Sequence, residues 1–257
     1  MHQVNFSQPL SVVIPAYNEA ATIQQVIKKL LQLENLLEIV VVNDGSKDAT
    51  GSVLDGLAQE EKRIRVIHHP KNLGKTAALK TGFATTMGSI VIVQDADLEY
   101  NPEEIPIVIE PILMNQADVV YGSRFLVRKA ARVLYFYHYL ANKLITFISD
   151  LFTNINMTDV ETGYKAFRGE IIRSMVINST GFGFEIEVTA KIAKLNCRIY
   201  EAPISYYGRT YEEGKKIGLK DALFALWYIL RFNLFCSLQA SFKPIPYDYV
   251  KSKRGLK

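Results

Sequence analysis

The 257-residue chain is 49% hydrophobic and 22% charged, with a formal net charge of +4. That composition excludes a disordered chain and supports a full core, as one large α/β domain or two small ones. The mild basic excess admits an anionic partner such as a phosphate, a nucleotide or a membrane surface, and nothing in it calls for nucleic acid. Cys197 and Cys236 have neither metal-ligand nor redox spacing, so a reducing compartment is expected. No basic segment followed by an apolar one opens the sequence, and no signal peptide is expected.

In chain order, Leu10-Ser11-Val12-Val13-Ile14-Pro15 reads as a short apolar strand, followed by the loop Ala16-Tyr17-Asn18-Glu19. Apolar positions at Ile23, Val26, Ile27, Leu30 and Leu31 then have helical spacing. A second apolar strand, 38–42, runs into Asn43-Asp44-Gly45-Ser46 and a helix over about 48–61. Residues 64–68 form a third strand, and 76–87 a helix. Residues 102–114 read as a helix with proline in its first turn, and 117–122 as a further strand. Continuous apolar strands alternating with amphipathic helices predict a mainly parallel sheet covered on both faces. In such sheets ligands bind beyond the carboxyl ends of the strands. The polar clusters at 17–19, 43–44 and 95–97 all lie there.

The strand Ile90-Val91-Ile92-Val93 leads into Asp95, Asp97 and Glu99 at every second position. On an extended chain alternate residues share a face, so the three acids are expected to line one side of a strand end. Such oxygen ligands suit Mg²⁺ or Mn²⁺, which keep open positions for phosphate. Gly74-Lys75-Thr76 imitates the end of a P-loop, but His69 stands where that motif needs its first glycine. A P-loop is therefore excluded.

Beyond residue 121 the texture changes. Residues 132–152 form a long helical stretch dense in aromatics, and 159–168 a compact polar-aromatic segment. A helix follows from about 181 to 195, a strand over 198–207, and a basic loop over 208–216. The four histidines show no ligand spacing and receive no role.

Five landmarks stand in one order: Val13-Ile14-Pro15-Ala16-Tyr17-Asn18-Glu19, Val42-Asn43-Asp44-Gly45-Ser46, Asp95-Ala96-Asp97, Gly122-Ser123-Arg124 and the 159–168 segment. Together they resemble the family 2 glycosyltransferases of the GT-A fold, in the branch that uses dolichyl or polyprenyl phosphate. The resemblance spans about 8–235. It implies an inverting, metal-dependent hexosyltransferase using UDP- or GDP-hexose, with glucose or mannose transferred to polyprenyl phosphate. Pro15, Tyr17, Glu19, Asp44, Asp95 and Ala96 match nucleotide-sugar positions, and Asp95, Asp97 and Glu99 match the Mg²⁺ or Mn²⁺ site. Arg124, Arg209 and Lys215 match cations that act with Asp97 in catalysis, and Arg124 and Arg128 are expected to hold the acceptor phosphate. Asn43 departs from the family's usual aspartate, and Glu161-Thr162-Gly163-Tyr164-Lys165 looks nearer to the glucosyl type. Transfer to a glycan or another lipid hydroxyl, with Asp159 or Glu185 as base, stays open, as does a non-catalytic nucleotide-sugar-binding subunit.

The chain is therefore divided into a tail (1–8), a GT-A domain (9–216), an apolar interfacial helix (217–240) and a basic tail (241–257). Residues 222–230 are apolar all round but too few to span a bilayer. An interfacial helix is expected, anchored by Trp227, Phe232 and Phe235. It would place the protein peripherally at the cytoplasmic face of a membrane, with a separate membrane protein as a possible partner.

Overall fold

The structure, a computed structural model, describes residues 8–126, 135–208 and 219–250. The first half alternates strand and helix as expected: Leu10–Ala16 (β1), Ile23–Leu30 (α1), Leu36–Asn43 (β2), Thr50–Glu60 (α2), Ile64–His68 (β3), Lys75–Thr85 (α3), Ile90–Val93 (β4), Ile105–Leu113 (α4) and Val119–Ser123 (β5). Phe136–Thr153 (α5), Lys165–Arg168 (β6), Gly169–Ser174 (α6), Phe184–Ile192 (α7), Ile199–Pro203 (β7), Leu219–Leu234 (α8) and Leu238–Ser241 (α9) follow. The strands form one sheet in the order β3-β2-β1-β4-β6-β5-β7. Only β6 runs antiparallel to its neighbours, so the mainly parallel sheet is observed.

Period-two alternation divides the strands between two cores. Val12, Ile14, Ile90 and Ile92 face α1, α2 and α4 through residues such as Val26, Leu54 and Val108. Val13, Val91, Val93 and Phe167 face α3, α6 and α7 through Leu79, Phe83, Ile172 and Val188. A third cluster joins Ile145 of α5, Ile186 and Ala190 of α7, and Ala225, Ile229 and Phe232 of α8.

Three expectations need correction. First, β6 lies inside the segment read only as compact and polar-aromatic. Its Lys165 is fully buried, the ammonium donating to the carbonyls of Val160, at 3.0 Å, and Thr162. Second, the helix at 217–240 does not stand apart from the domain. Ala225, Tyr228, Ile229 and Phe232 pack inward, and Phe232, expected as an interface anchor, is 2% exposed. Third, the segment from residue 241 is docked up to residue 250. Met175 bridges Phe242, and the amides of Val176 and Lys243 bond Ser241 O and Ser174 O at 2.9 and 2.7 Å. Residues 251–257 lie outside the described residues.

Candidate active site

The carboxyl ends of β1, β2 and β3 are laced into one rim. Asn18, in the left-handed region at φ 56°, accepts from the Lys47 amide through Oδ1 at 2.8 Å. Its own amide donates to Ser46 Oγ at 3.0 Å. The amides of Glu19 and Ala20 reach Thr50 Oγ1 and Asp48 Oδ2. Gly45, at φ 68°, lies so close to residues 71–72 that a Cβ would stand 2.4 Å from the Lys71 carbonyl carbon. Only glycine suits both demands. Tyr17 is exposed on this rim, while the Glu19 carboxylate accepts from Thr22 Oγ1 at 2.9 Å. Pro15 is half-buried at the end of β1.

Asp44, expected at the nucleotide-sugar, is engaged within the rim itself. It is buried, and its carboxylate accepts from the amides of Leu73 and Gly74 and lies 2.7 Å from His69 Nδ1. His69 Nε2 is 2.9 Å from Thr81 Oγ1. Asp44 thus holds the 69–74 loop against the rim. His69, given no role from the sequence, is part of that brace.

The acid loop also departs from expectation. β4 ends at Val93, Asp97 lies in a turn, and Leu98 takes φ 61°. The chain leaves the extended conformation here, so alternation along a strand does not govern the three carboxylates. Ala96 is buried in the core. Asp95 is gripped by Lys75, Nζ lying 2.9 Å from Oδ1 and 3.2 Å from Oδ2. Asp97 Oδ1 accepts from the Glu99 amide at 3.2 Å. Glu99 Oε2 accepts from the Tyr206 hydroxyl at 2.8 Å.

Lys75 is the residue the sequence reading missed. It opens α3, and its ammonium also lies 3.3 Å from Glu185 Oε1. Burial opposes its charge, but Asp95 and Glu185 together hold its pKa above the ordinary lysine value. Glu185 Oε2 and Glu161 Oε1 are buried without a hydrogen-bond partner among the described residues. Burial, reinforced by Glu185, pushes the Glu161 carboxyl upward.

Arg124 approaches from the other side. Its Nε and Nη2 each stand 2.7 Å from the Asp159 carboxylate, whose Oδ2 also accepts the Arg124 amide. Asp159 is fully buried, and Arg124 outweighs the burial penalty to keep its pKa below the ordinary range. It is spent as a guanidinium anchor, so its reading as a base is withdrawn. Tyr164 and Tyr100 stack at 5.0 Å between the acid loop and β6, with Tyr164 wholly buried. Arg128, Arg209 and Lys215 lie outside the described residues.

Among the described residues no group of three His, Cys, Asp or Glu side chains is assembled to hold a metal. The donor set still fits a hard cation. Asp95 and Asp97 offer oxygens two residues apart, and Mg²⁺ is usually held by one or two carboxylates with phosphate and water. Gly163 keeps the approach to Asp95 clear, since a Cβ there would stand 2.6 Å from Oδ2. A cation at Asp95 would compete with the Lys75 ammonium.

This rim beyond parallel strands agrees with a comparison of the sequence with known families, in which the model for glycosyl transferase family 2 matches residues 11–175. The chain belongs to glycosyl transferase family 2. Undecaprenyl-phosphate mannosyltransferase of Micrococcus luteus is 30% identical over 216 residues, covering 80% of this chain and 86% of that one. Polyprenol monophosphomannose synthase of Mycolicibacterium smegmatis is 27% identical over 227 residues, covering 85% of each. Among solved structures, glucosyl-3-phosphoglycerate synthase from Mycobacterium tuberculosis, in complex with Mn²⁺, UDP and phosphoglyceric acid, superposes with a TM-score of 0.67. That similarity covers 90% of this chain and 80% of the synthase at 22% identity, and it shows the shared fold. A family 2 glycosyltransferase with this rim brings Lys75, Asp95, Asp97, Glu99 and Arg124 to one end of the sheet.

Proposed function

We propose that this family 2 enzyme transfers a hexose, glucose or mannose, from a UDP- or GDP-hexose to polyprenyl phosphate, with inversion at the anomeric carbon. The observation that carries this reading is the near full-length similarity to two polyprenyl-phosphate mannosyltransferases. The site chemistry supports it. Of the two carboxylates considered as bases, Asp159 has both oxygens on Arg124, and Glu185 shares the Lys75 ammonium with Asp95 through one oxygen. A phosphate monoester, largely dianionic at pH 7, attacks without one.

In this mechanism the rim of Pro15, Tyr17, Glu19 and the Asp44-braced loop receives the nucleoside. Asp97 and Asp95 would hold a divalent cation, Mg²⁺ or Mn²⁺, and that ion supplies positive charge to the departing diphosphate. Lys75 sets the position of Asp95. Arg124, fixed by Asp159, draws the acceptor phosphate toward the anomeric carbon, and Arg128 is assigned to the same phosphate. Arg209 and Lys215 add charge around the phosphates. The bond from the anomeric carbon to the diphosphate oxygen breaks, and one to an acceptor phosphate oxygen forms.

The acceptor is a membrane lipid, and the reading places the protein peripherally at the cytoplasmic face of a membrane. No helix of the described residues is long and apolar enough to cross one. Phe136, Leu140, Leu144, Phe147 and Leu151 form an exposed apolar stripe along α5. On neighbouring α8, Leu223, Trp227, Leu230 and Leu234 form a second. Such stripes suit an interfacial rather than a spanning role.

The deciding experiment offers labelled UDP- and GDP-hexoses with polyprenyl phosphate and follows label into the organic phase. Label in a soluble glycan instead, or none in any acceptor, overturns the reading.

A further inference from the structure

One side chain joins the two halves of this site, and the family reading gives it no role. Tyr206 follows β7. Its hydroxyl donates to Glu99 Oε2 at 2.8 Å. Its ring centroid lies 5.2 Å from the Arg124 guanidinium carbon and 5.3 Å from the Tyr100 ring. Glu99 belongs to the acid loop, and Arg124 is the cation that Asp159 fixes at the end of β5.

The backbone on both sides of Tyr206 is fastened to the segment 99–104, which runs from the acid loop into α4. The Ser205 amide and hydroxyl each donate to the Glu104 carboxylate at 2.8 Å. The Tyr207 amide donates to Glu99 O at 2.9 Å. A Cβ at Gly208 would stand 2.5 Å from the Tyr206 ring, so the chain folds closely over it. This fastening exceeds what packing one half-buried tyrosine requires. A guanidinium over an aromatic face and a hydroxyl on a carboxylate are both directional, so the ring fixes the relative placement of Glu99 and Arg124.

We infer that Tyr206 is a positioning residue, holding Glu99 of the acid loop and Arg124 of the acceptor side in the separation that transfer requires. It acts through those two residues and touches neither substrate. The inference rests on the proposed transfer reaction only for the choice of assay. In the proposed reaction Glu99 belongs to the donor side and Arg124 to the acceptor side, so a shift between them lowers turnover more than it lowers binding of either substrate.

Two variants separate the parts. Tyr206→Phe keeps the ring against Arg124 and Tyr100 and removes the hydroxyl from Glu99. Tyr206→Leu removes both. The phenylalanine variant is expected to lose about tenfold to a hundredfold in kcat, the scale of a small misplacement. Its donor KM should stay within about twofold, since ground-state binding is retained, and its UDP or GDP affinity by calorimetry in Mn²⁺ should match wild type. The leucine variant should lose more. In a double-mutant cycle Tyr206→Phe with Glu99→Ala should be no worse than the poorer single variant, because both remove one contact. Wild-type kcat for the phenylalanine variant, or additive losses in the cycle, would overturn the assignment. So would a fall in nucleotide affinity matching the fall in kcat. A wild-type protein that binds nucleotide but labels no polyprenyl phosphate defeats the acceptor reading alone. The cycle is then run on donor hydrolysis.

Discussion

Lys75 grips Asp95 through both carboxylate oxygens, at 2.9 and 3.2 Å, from the first residue of α3. The same ammonium reaches buried Glu185, so one lysine is shared between two acids on separate elements. Removing one partner of a buried ion pair leaves a charge uncompensated, at a cost of about 3–5 kcal/mol. Lys75→Met should therefore lower the melting temperature by roughly 6–20 °C for a domain of this size. Lys75→Met with Glu185→Gln should recover much of the loss. Equal melting for the single variant and wild type in a calorimeter would contradict the pairing.

Asp97→Ala is expected to abolish transfer while the melting temperature stays within about 2 °C, because a half-buried turn residue contributes little to the core. Retention of more than about a tenth of wild-type activity in saturating Mg²⁺ or Mn²⁺ would remove Asp97 from the required ligands. Glu99, held by Tyr206, is expected to matter less as a ligand, since water replaces a third carboxylate on such a site.

Asp159 distinguishes an anchor from a base. As the buried partner of Arg124, with both oxygens on the guanidinium, it should reveal itself in stability. Asp159→Asn should unfold at clearly lower denaturant, while Arg124→Met with Asp159→Leu should regain part of the difference. A full-stability asparagine variant with no activity would restore the role of base.

Glu161 supplies a pH dependence. Burial raises its folded pKa above the unfolded value, with Glu185 adding to the effect. Between the two values the folded state holds a proton that the unfolded state has released, so stability falls as pH rises. The fall should run from the ordinary glutamate range toward neutrality and then level off. Glu161→Gln should flatten that part of the curve. Parallel denaturation curves for variant and wild type from pH 4.5 to 8 would show that Glu161 does not titrate there.

The sheet was legible because β1, β2 and β4 are nearly uninterrupted apolar runs, which hardly fold otherwise. β6 was not, since it opens with Lys165 and closes with Arg168. Nothing local shows that the Lys165 ammonium is satisfied by carbonyls at 160 and 162. The position of the acid triplet was legible, but its geometry turns on Leu98 at positive φ, which leucine gives no reason to expect. Lys75 was hidden for another reason. Its Gly-Lys-Thr setting suggested a P-loop, and dismissing that motif dismissed the lysine. Its partners lie 20 and 110 positions away in sequence, a distance that no spacing rule spans. His69 was hidden likewise, because it braces Asp44 instead of joining other histidines.

The apolar stripe on α5 gives the last prediction. Phe136, Leu140, Leu144, Phe147 and Leu151 recur at spacings of four, four, three and four, which puts them on one face of a helix. Phe147 and Leu151 are 59% and 66% exposed, while Ile145, Thr146 and Ser149 face the protein. An interface at 217–240 would thus be only half of the proposed lipid face, since α8 adds Trp227 at 53% and turns Phe232 inward. Arg231 lies exposed beside this face, and the sequence ends with four cations over 251–257, a charge that draws a protein to anionic lipid at about 1 kcal/mol per residue near the surface. Phe147→Asp with Leu151→Asp should therefore abolish sedimentation with vesicles containing phosphatidylglycerol and lower transfer to long polyprenyl phosphates. Nucleotide binding and melting temperature should hold. Trp227→Ser with Phe235→Ser should weaken sedimentation in the same direction. If the α5 variant still sediments like wild type, the stripe is not the lipid face. If wild type runs as a dimer in gel filtration that the variant dissolves, a second copy of the chain covers the stripe.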